Sequence, residues 1–145
     1  MDLDTITKMW EKDSQLDDVL LDQSSLKIPQ LHQKYLTLHN EFSLLKKKKE
    51  QQLKQLHHEK YLYYSGKSDP EVYQENPFHH KILKSDIPKW IEVDEQILKV
   101  DGQLDYYEIV IFTLDDILRQ VHQMSYNIKN AIEWRRFVGG VWGLK

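Results

Sequence analysis

A run of four lysines, Lys46 to Lys49, is the strongest chemical signal in this 145-residue chain. In a helix, four successive residues spread over most of the circumference, so at least two of them face away from any core. Ammonium groups neutralise phosphates, and a bound polyanion relieves the mutual repulsion within such a run. The run therefore predicts a phosphate-binding face or, in the alternative, an ordinary solvated helix face. The basic track continues at Lys54, His57, His58, Lys60 and Lys67.

Aromatic side chains follow the basic track directly, at Tyr61, Tyr63 and Tyr64. Basic side chains beside aromatic rings are typical of single-strand binding surfaces, which combine phosphate contacts with base stacking. Three tyrosines at a helix end are also typical of internal packing. The candidate residues for single-stranded nucleic-acid binding are Lys46, Lys47, Lys48, Lys49, Lys54, His58, Lys60, Tyr63, Tyr64 and Lys67.

Catalytic and metal-binding signatures are missing from the sequence. It has no cysteine, no glycine-rich phosphate loop, no H-E-x-x-H motif and no nucleophile elbow. The sequence has two histidine pairs, His57-His58 and His79-His80. In a helix the two side chains of a pair point about 100° apart, so they cannot chelate one metal ion well. We therefore interpret both pairs as part of a solvated surface. Asp115-Asp116 is interpreted as a solvated flank. We expect no catalytic residue, no metal site and no cofactor, hence a protein that is not an enzyme.

The net charge of −3 hides an uneven distribution. Residues 1–25 carry two basic and seven acidic side chains, a net of −5, and residues 26–84 carry eleven basic and six acidic, a net of +5. Residues 85–145 carry seven basic and ten acidic side chains, a net of −3. A basic middle segment predicts a polyanionic partner or, equally, pairing with the chain's own acidic ends.

Composition and periodicity predict an all-α fold. The low numbers of Gly (five) and Pro (four) argue against a turn-rich β architecture. No apolar run approaches the roughly 18 residues of a membrane span. A first long helix is expected from about 28 to 64, ended by Ser65-Gly66, with a short, movable helix within 3–22. We expect one helical domain over 1–145, divided into an acidic segment 1–25, a basic helix 26–66, a loop 67–84, a heptad helix 85–138 and a tail 139–145.

The heptad helix carries the clearest pattern in the sequence. Apolar residues recur in steps of three and four, as in the a/d seam of a coiled coil, from about 87 to 137. Ser85 or Asp86 is expected to cap its start, Gly102 to kink it and Gly139-Gly140 to stop it. The seam consists of Trp90, Val93, Ile97, Val100, Leu104, Tyr107, Ile111, Leu114, Leu118, Val121, Ser125, Ile128, Ile132 and Arg135.

So long a seam has consequences for assembly. The two long helices are expected to form an antiparallel hairpin, yet one chain cannot cover the whole seam, so an oligomer is predicted. The later part of the seam, at Leu118 and Val121, belongs to the candidate self-assembly surface. The tail from Val141 to Lys145 is apolar for a terminus and is expected to dock on a neighbouring subunit or to be loose.

Three short elements carry a family resemblance. Tyr63-Tyr64-Ser65-Gly66-Lys67 ends the basic helix, Leu98-Lys99-Val100-Asp101 follows about thirty residues later, and Ile128-Lys129-Asn130 begins an element that ends in Arg135-Arg136-Phe137. In this order and spacing they resemble the UvsY recombination mediators of tailed phages. The resemblance covers about residues 28–140.

The resemblance implies a function and an assembly. Members bind single-stranded DNA without strong sequence preference and form ring-like oligomers of about six or seven subunits. They help the phage recombinase (UvsX-like) load onto DNA covered by the phage single-strand binding protein, in recombination, replication and repair. They are not enzymes and need no cofactor. For this chain the resemblance implies a phage protein working in the cytoplasm of the infected host cell, with no membrane partner.

The resemblance also implies residue roles. Two basic residues shortly before the Tyr-Tyr-Ser-Gly element are associated with DNA binding, and their places are taken here by His58 and Lys60. The C-terminal helix is associated with self-assembly. That association falls on Ile128, Ile132, Trp134 and Phe137. From the residues alone, the alternative is a non-catalytic oligomeric helical adapter that binds proteins rather than DNA.

Overall fold

A computed structural model describes residues 1–143 of the chain, with side chains described through residue 140. Every regular element in this part is helical, which confirms the predicted all-α class. None of the helices in the described residues has a stretch long and apolar enough to cross a bilayer. The elements are α1 (Leu3–Asp13), α2 (Leu21–Tyr64), α3 (Pro70–Glu75), a 3-10 helix (Lys84–Asp86), α4 (Ile87–Glu92) and α5 (Glu95–Gly143).

The chain divides into two compact units that share the two long helices. Unit 1 consists of Met1–Phe42 and the described part of Val110–Lys145, and unit 2 consists of residues 43–109. Each unit therefore contains one segment of α2 and one of α5. That the chain acts as a single domain stays a prediction.

Unit 1 is built on the apolar faces of α2 and α5, with α1 packed on them. The indole of Trp10 meets the ring of Tyr35 edge to face at 5.4 Å and donates to Gln120 Oε1 at 3.3 Å. Asp13 accepts from Lys34 Nζ at 2.6 Å and from Tyr35 Oη at 2.8 Å. The predicted short N-terminal helix is thus present and held in place. The buried apolar residues are Ile6, Leu21, Tyr35, Phe42, Val110, Leu114, Ile117, Val121, Met124 and Ile128.

Unit 2 contains the chain reversal that makes α2 and α5 antiparallel. Gly66, with φ of +79°, ends α2, and the amides of Gly66 and Lys67 donate to Tyr63 O and Leu62 O at 3.2 and 2.8 Å. This arrangement satisfies the last carbonyls of the helix and confirms the predicted stop. The apolar cluster of the unit consists of Ile87, Ile91 and Ile97, with Leu53, Leu56, Tyr61, Tyr64 and Ile82 packed against it.

Three of the fourteen predicted seam positions are displaced by one residue. Val100, Leu114, Val121 and Ile128 are buried as expected. In place of Ile111, Leu118 and Ser125, however, the structure buries the residue before each. A straight helix has 3.6 residues per turn and drifts against a strict seven-residue repeat, so the buried stripe does not stay on one heptad register. The residues buried instead are Val110, Ile117 and Met124.

The predicted heptad helix begins near 87 as expected, but it is interrupted and does not stop where predicted. It breaks at Val93–Asp94, so α4 and α5 are separate helices, and Val93 is 67% exposed. Asp86 is the N-cap residue of α4, but without a side-chain capping hydrogen bond. At the other end, α5 continues through Gly139-Gly140 to Gly143. Glycine lowers helix stability by only about 1 kcal/mol per residue and does not by itself end a helix.

Three further features of the helices differ from the sequence prediction or add to it. α2 begins at Leu21 rather than near 28, so Pro29 lies inside it, where the proline leaves Ser25 O without the usual amide donor. Gly102 lies within α5 as one continuous helical element. The loop 67–84 contains α3. Of the predicted tail, Leu144 and Lys145 lie outside the described residues.

Candidate nucleic-acid interface

The four-lysine run divides into two pairs with different surroundings. Lys46 is half-buried, and its ammonium lies 3.8 Å from Glu50 Oε1 and 3.5 Å from Glu108 Oε1. Lys49 is also partly buried and donates to Gln52 Oε1 at 3.2 Å. Lys47 and Lys48 are exposed. The sequence argument that at least two of the four lysines face away from the core is therefore confirmed, and the structure identifies which two.

The exposed cations of α2 form an outward face. Lys47, Lys54 and His58 follow one another at steps of seven and four, which places them on one side of the helix. All three are exposed, and within the described residues none of them makes an ion pair or a side-chain hydrogen bond. Lys48 lies beside this face and is likewise exposed. These four residues, Lys47, Lys48, Lys54 and His58, are called the outward set below.

Lys60, another candidate, lies on the opposite side of α2. Its ammonium is 3.2 Å from Asp94 Oδ2, and the two side chains are only 16% and 8% exposed. The same ammonium lies 5.6 Å from the centre of the Tyr63 ring. Lys60 is therefore engaged in a half-buried ion pair, unlike the outward set.

Asp94 joins Lys60 to the end of α2 and to the start of α5. Its Oδ2 accepts from Tyr64 Oη at 2.6 Å, and its Oδ1 accepts from the amide of Gln96 at 2.9 Å and from that of Ile97 at 3.2 Å. Burial opposes ionisation most strongly, but the hydrogen bonds from Tyr64 and Ile97 and the charge of Lys60 outweigh it and hold the pKa of Asp94 below its ordinary value.

The tyrosines of the predicted stacking surface belong to an aromatic cluster. Tyr63 stacks on Tyr73 at 5.4 Å and donates to Asn76 O at 2.9 Å. Tyr64 contacts the rings of Phe78 and Trp90 at 5.2 and 5.9 Å. Burial, followed by the hydrogen bond to Asp94 and the charge of that carboxylate, raises the pKa of Tyr64, which therefore stays a donor. Packing thus occupies rings that the sequence offered for base stacking.

A cleft of about 730 Å³ lies beside the Lys60–Asp94 pair in unit 2. Its lining includes Lys60 and the exposed Lys67, but more carboxylates than cations. Such a lining repels phosphates, so the cleft is a poor place for a DNA backbone. Within the described residues, no group of three or more histidine and acidic side chains is arranged to hold a metal ion. The carboxylates that line the cleft are Glu59, Asp69, Asp94 and Glu95.

The candidate self-assembly residues also divide by burial. Val121 and Ile128 are buried inside unit 1, and Leu118 is partly buried, so these residues pack within the chain. Ile132 is exposed, as are Trp134 and Phe137, whose rings stack on each other at 5.7 Å. Among the candidate self-assembly residues, only this last group is exposed.

Two residues that organise the structure were missed from the sequence. Met124 was overlooked because the assigned register placed Ser125 in the seam, although Met124 is seven residues after Ile117 and is equally apolar. Asp94 was overlooked because the heptad pattern runs from Trp90 and Val93 on to Ile97 without interruption. The available signal was a capping-type residue followed by an acidic first turn at Glu95.

Comparison with known proteins identifies relatives over nearly the whole chain. Residues 9–141 match the family described as recombination, repair and ssDNA binding protein UvsY. The recombination protein uvsY of Enterobacteria phage T4 is 24% identical over 140 residues, covering 97% of this chain and 99% of the relative.

Solved structures give the same fold. A crystal structure of the bacteriophage T4 recombination mediator protein UvsY superposes with a TM-score of 0.85 at 24% identity, covering 96% of this chain and 98% of that one. A second crystal form gives a TM-score of 0.82 at 23% identity, covering 94% and 98%.

Proposed function

Because the chain belongs to the UvsY family of recombination, repair and ssDNA binding proteins, we propose that it is a recombination mediator that binds single-stranded DNA. In this role it promotes loading of a phage recombinase (UvsX-like) onto DNA covered by the phage single-strand binding protein. The family match over most of the chain and the name of the phage T4 relative support this assignment. The mediator acts without catalysis and without a cofactor, in the cytoplasm of the infected host cell.

The observation that carries the proposal is the outward set on α2. Lys47, Lys48 and Lys54 are exposed, lack acidic partners within the described residues and lie near one another on a single helix. Each can take the place of a counterion on a phosphate, and release of that counterion favours binding. Phosphate contacts carry no sequence information, so binding through this face is independent of base sequence.

Self-assembly multiplies this modest surface. The exposed Ile132, Trp134 and Phe137 give an apolar contact surface on unit 1 for further copies of the chain, in a ring-like homo-oligomer of about six or seven subunits. Linking several outward sets on one flexible strand raises the overall affinity without any new kind of contact. A strand held at several points is distorted, which weakens the hold of the covering protein and presents the strand to the recombinase.

A salt titration of single-strand binding, with the oligomer mass measured on the same sample, tests the DNA-binding part. We expect an oligomer whose log affinity falls steeply with log salt, by about 0.7 for each phosphate engaged. Weak, salt-independent binding, or binding by a monomer, would contradict the proposal. Assembly with only feeble DNA binding at about 150 mM salt would favour the protein-binding adapter instead.

The self-assembly surface is tested by exchanging its apolar side chains. We expect Trp134→Ser with Phe137→Ser to lower the oligomer mass while leaving the stability of the subunit within about 0.5 kcal/mol, since both side chains are exposed. Ile128→Ala is the matched control: it lies on the same helix but is buried, and it should lower stability by about 2–5 kcal/mol. An unchanged mass for the double variant would exclude this surface.

The mediator activity itself needs a reconstituted assay. The rate of recombinase loading is measured on a strand already covered by single-strand binding protein. We expect the wild-type protein to raise this rate, and a variant lacking Lys47 and Lys54 to raise it less. A wild-type protein that binds the strand but does not change the loading rate would contradict the mediator role while leaving DNA binding in place.

A further inference from the structure

One carboxylate holds two side chains from the last turns of α2. Asp94 Oδ2 binds Lys60 Nζ at 3.2 Å and Tyr64 Oη at 2.6 Å. Lys60 and Tyr64 are four residues apart, so they lie one above the other on the same side of the helix. That side faces the start of α5, whose first turns carry the buried Ile97 and Val100.

The other oxygen of the same carboxylate caps α5. Asp94 Oδ1 accepts from the amides of Gln96 and Ile97, which the first turn of a helix otherwise leaves without an intrahelical partner. Asp94 itself is only 8% exposed. Four hydrogen bonds or ion pairs from two helices therefore meet on one side chain, and they fix the end of α2 against the start of α5 within unit 2.

Together with the packing of Leu53 and Leu56, this attachment fixes which side of α2 faces solvent in unit 2. At 100° of rotation per residue, Lys47, Lys54 and His58 lie about 120–160° around the helix from Lys60 and about 80–120° from Tyr64. While Asp94 holds the inner side, the outward set cannot rotate towards the core. Asp94, a residue of another element, thus contributes to the direction in which these cations point.

Resting on the proposed function, we propose that Asp94 is the positioning residue of the DNA-binding face, and that Lys60 acts through Asp94 rather than through a phosphate. The charge of Lys60 is neutralised by the carboxylate it touches. A phosphate approaching Lys60 from the cleft would also meet carboxylates at Glu59, Asp69 and Glu95. Lys47 and Lys54 lie outside the lining of this cleft.

Replacing Asp94 separates positioning from simple charge. Asp94→Asn keeps an oxygen that can cap α5 but loses the charge that holds Lys60. We expect single-strand affinity to fall by roughly three- to tenfold, although a negative charge has been removed. Glu59→Gln is the matched control, because it removes an exposed charge from the same cleft, and its affinity should stay the same or rise. Tighter binding by Asp94→Asn would mean that Asp94 only repels DNA, and it would overturn the proposal.

Replacing Lys60 tests the second half of the proposal. We expect Lys60→Met to leave the slope of log affinity against log salt unchanged, whereas Lys54→Gln lowers the slope by about 0.7 for each engaged subunit. A slope lowered equally by both variants would show that Lys60 meets a phosphate, and would overturn the proposal while leaving the proposed function in place. A wild-type protein without salt-dependent binding would overturn both.

A folding control keeps these results interpretable. Helicity and the unfolding temperature are measured for each variant, and binding is compared well below the lowest unfolding temperature. Tyr64→Phe is a second, milder variant that removes only one hydrogen bond to Asp94. We expect it to reduce affinity in the same direction as Asp94→Asn with native helicity. Native affinity in both variants would overturn the positioning role.

Discussion

Basic residues on the two sides of α2 have the same chemistry but different surroundings. On the outward side, Lys47, Lys48 and Lys54 are exposed and without acidic partners in the described residues. On the inward side, Lys46 meets Glu50 and Glu108, and Lys60 meets Asp94. The difference teaches that the side of the helix, rather than the residue type, decides whether a lysine is available to DNA or contributes to the fold.

The largest effect is expected from the outward side. Lys47→Gln combined with Lys54→Gln removes two phosphate contacts per subunit, which at about 50 mM salt should weaken single-strand binding roughly 60-fold for each subunit engaged. Stability should stay within about 0.5 kcal/mol, because both side chains are exposed. Fluorescence anisotropy with a labelled single strand gives the affinity, and thermal unfolding gives the stability. An affinity within twofold of wild type would remove the outward side from the interface.

A smaller effect, on stability, is expected from the inward side. Asp94→Asn should lower the free energy of unfolding by about 2 kcal/mol at neutral pH, since a buried, charge-assisted set of hydrogen bonds is weakened. Because the pKa of Asp94 is lowered in the folded protein, its contribution is present above the ordinary carboxyl pKa of about 3.9 and is lost as pH falls through the folded value. Denaturant unfolding at several pH values should show the two proteins converge in acid, and a gap independent of pH would contradict this.

The smallest effect is expected from the half-exposed pair of Lys46 and Glu108. Their ammonium–carboxylate distance is 3.5 Å, and Glu108 is about half exposed. Such pairs contribute about 0–1 kcal/mol, so Lys46→Gln should change the unfolding free energy by less than about 1 kcal/mol. Chemical denaturation measures it. A loss of stability as large as that of Asp94→Asn would show that the half-exposed Lys46–Glu108 pair stabilises the fold as strongly as the buried contacts of Asp94.

The sequence predicted the helices better than the contacts between them. The hairpin and the stop at Gly66 follow from local periodicity and local turn chemistry, both of which are read within a few residues. The break at Asp94 could not be predicted in this way, because the capping carboxylate is also held by Lys60 and Tyr64 from α2. Such a contact exists only after the two helices have packed.

The candidate site shows the same division. Helix geometry indicated that at least two lysines of the run face outward. To say which two, one must know which side of α2 faces the core. The burial of Phe42 and the partial burial of Leu53 and Leu56 show that side, and burial is known only from the structure. Tyr63 stacks on Tyr73, which belongs to α3. The sequence of the loop shows no steady apolar period, so it gave no signal for this helix.

Salt titration of two charge-matched variants tests the central claim most directly, namely that DNA binds to the outward side of α2. Lys47→Gln/Lys48→Gln and Lys46→Gln/Lys49→Gln remove the same charge from the same four-residue run. We predict that the first lowers the slope of log affinity against log salt by about 1.4 for each subunit engaged on the strand and that the second leaves it nearly unchanged. Equal reductions in the two variants would contradict the claim.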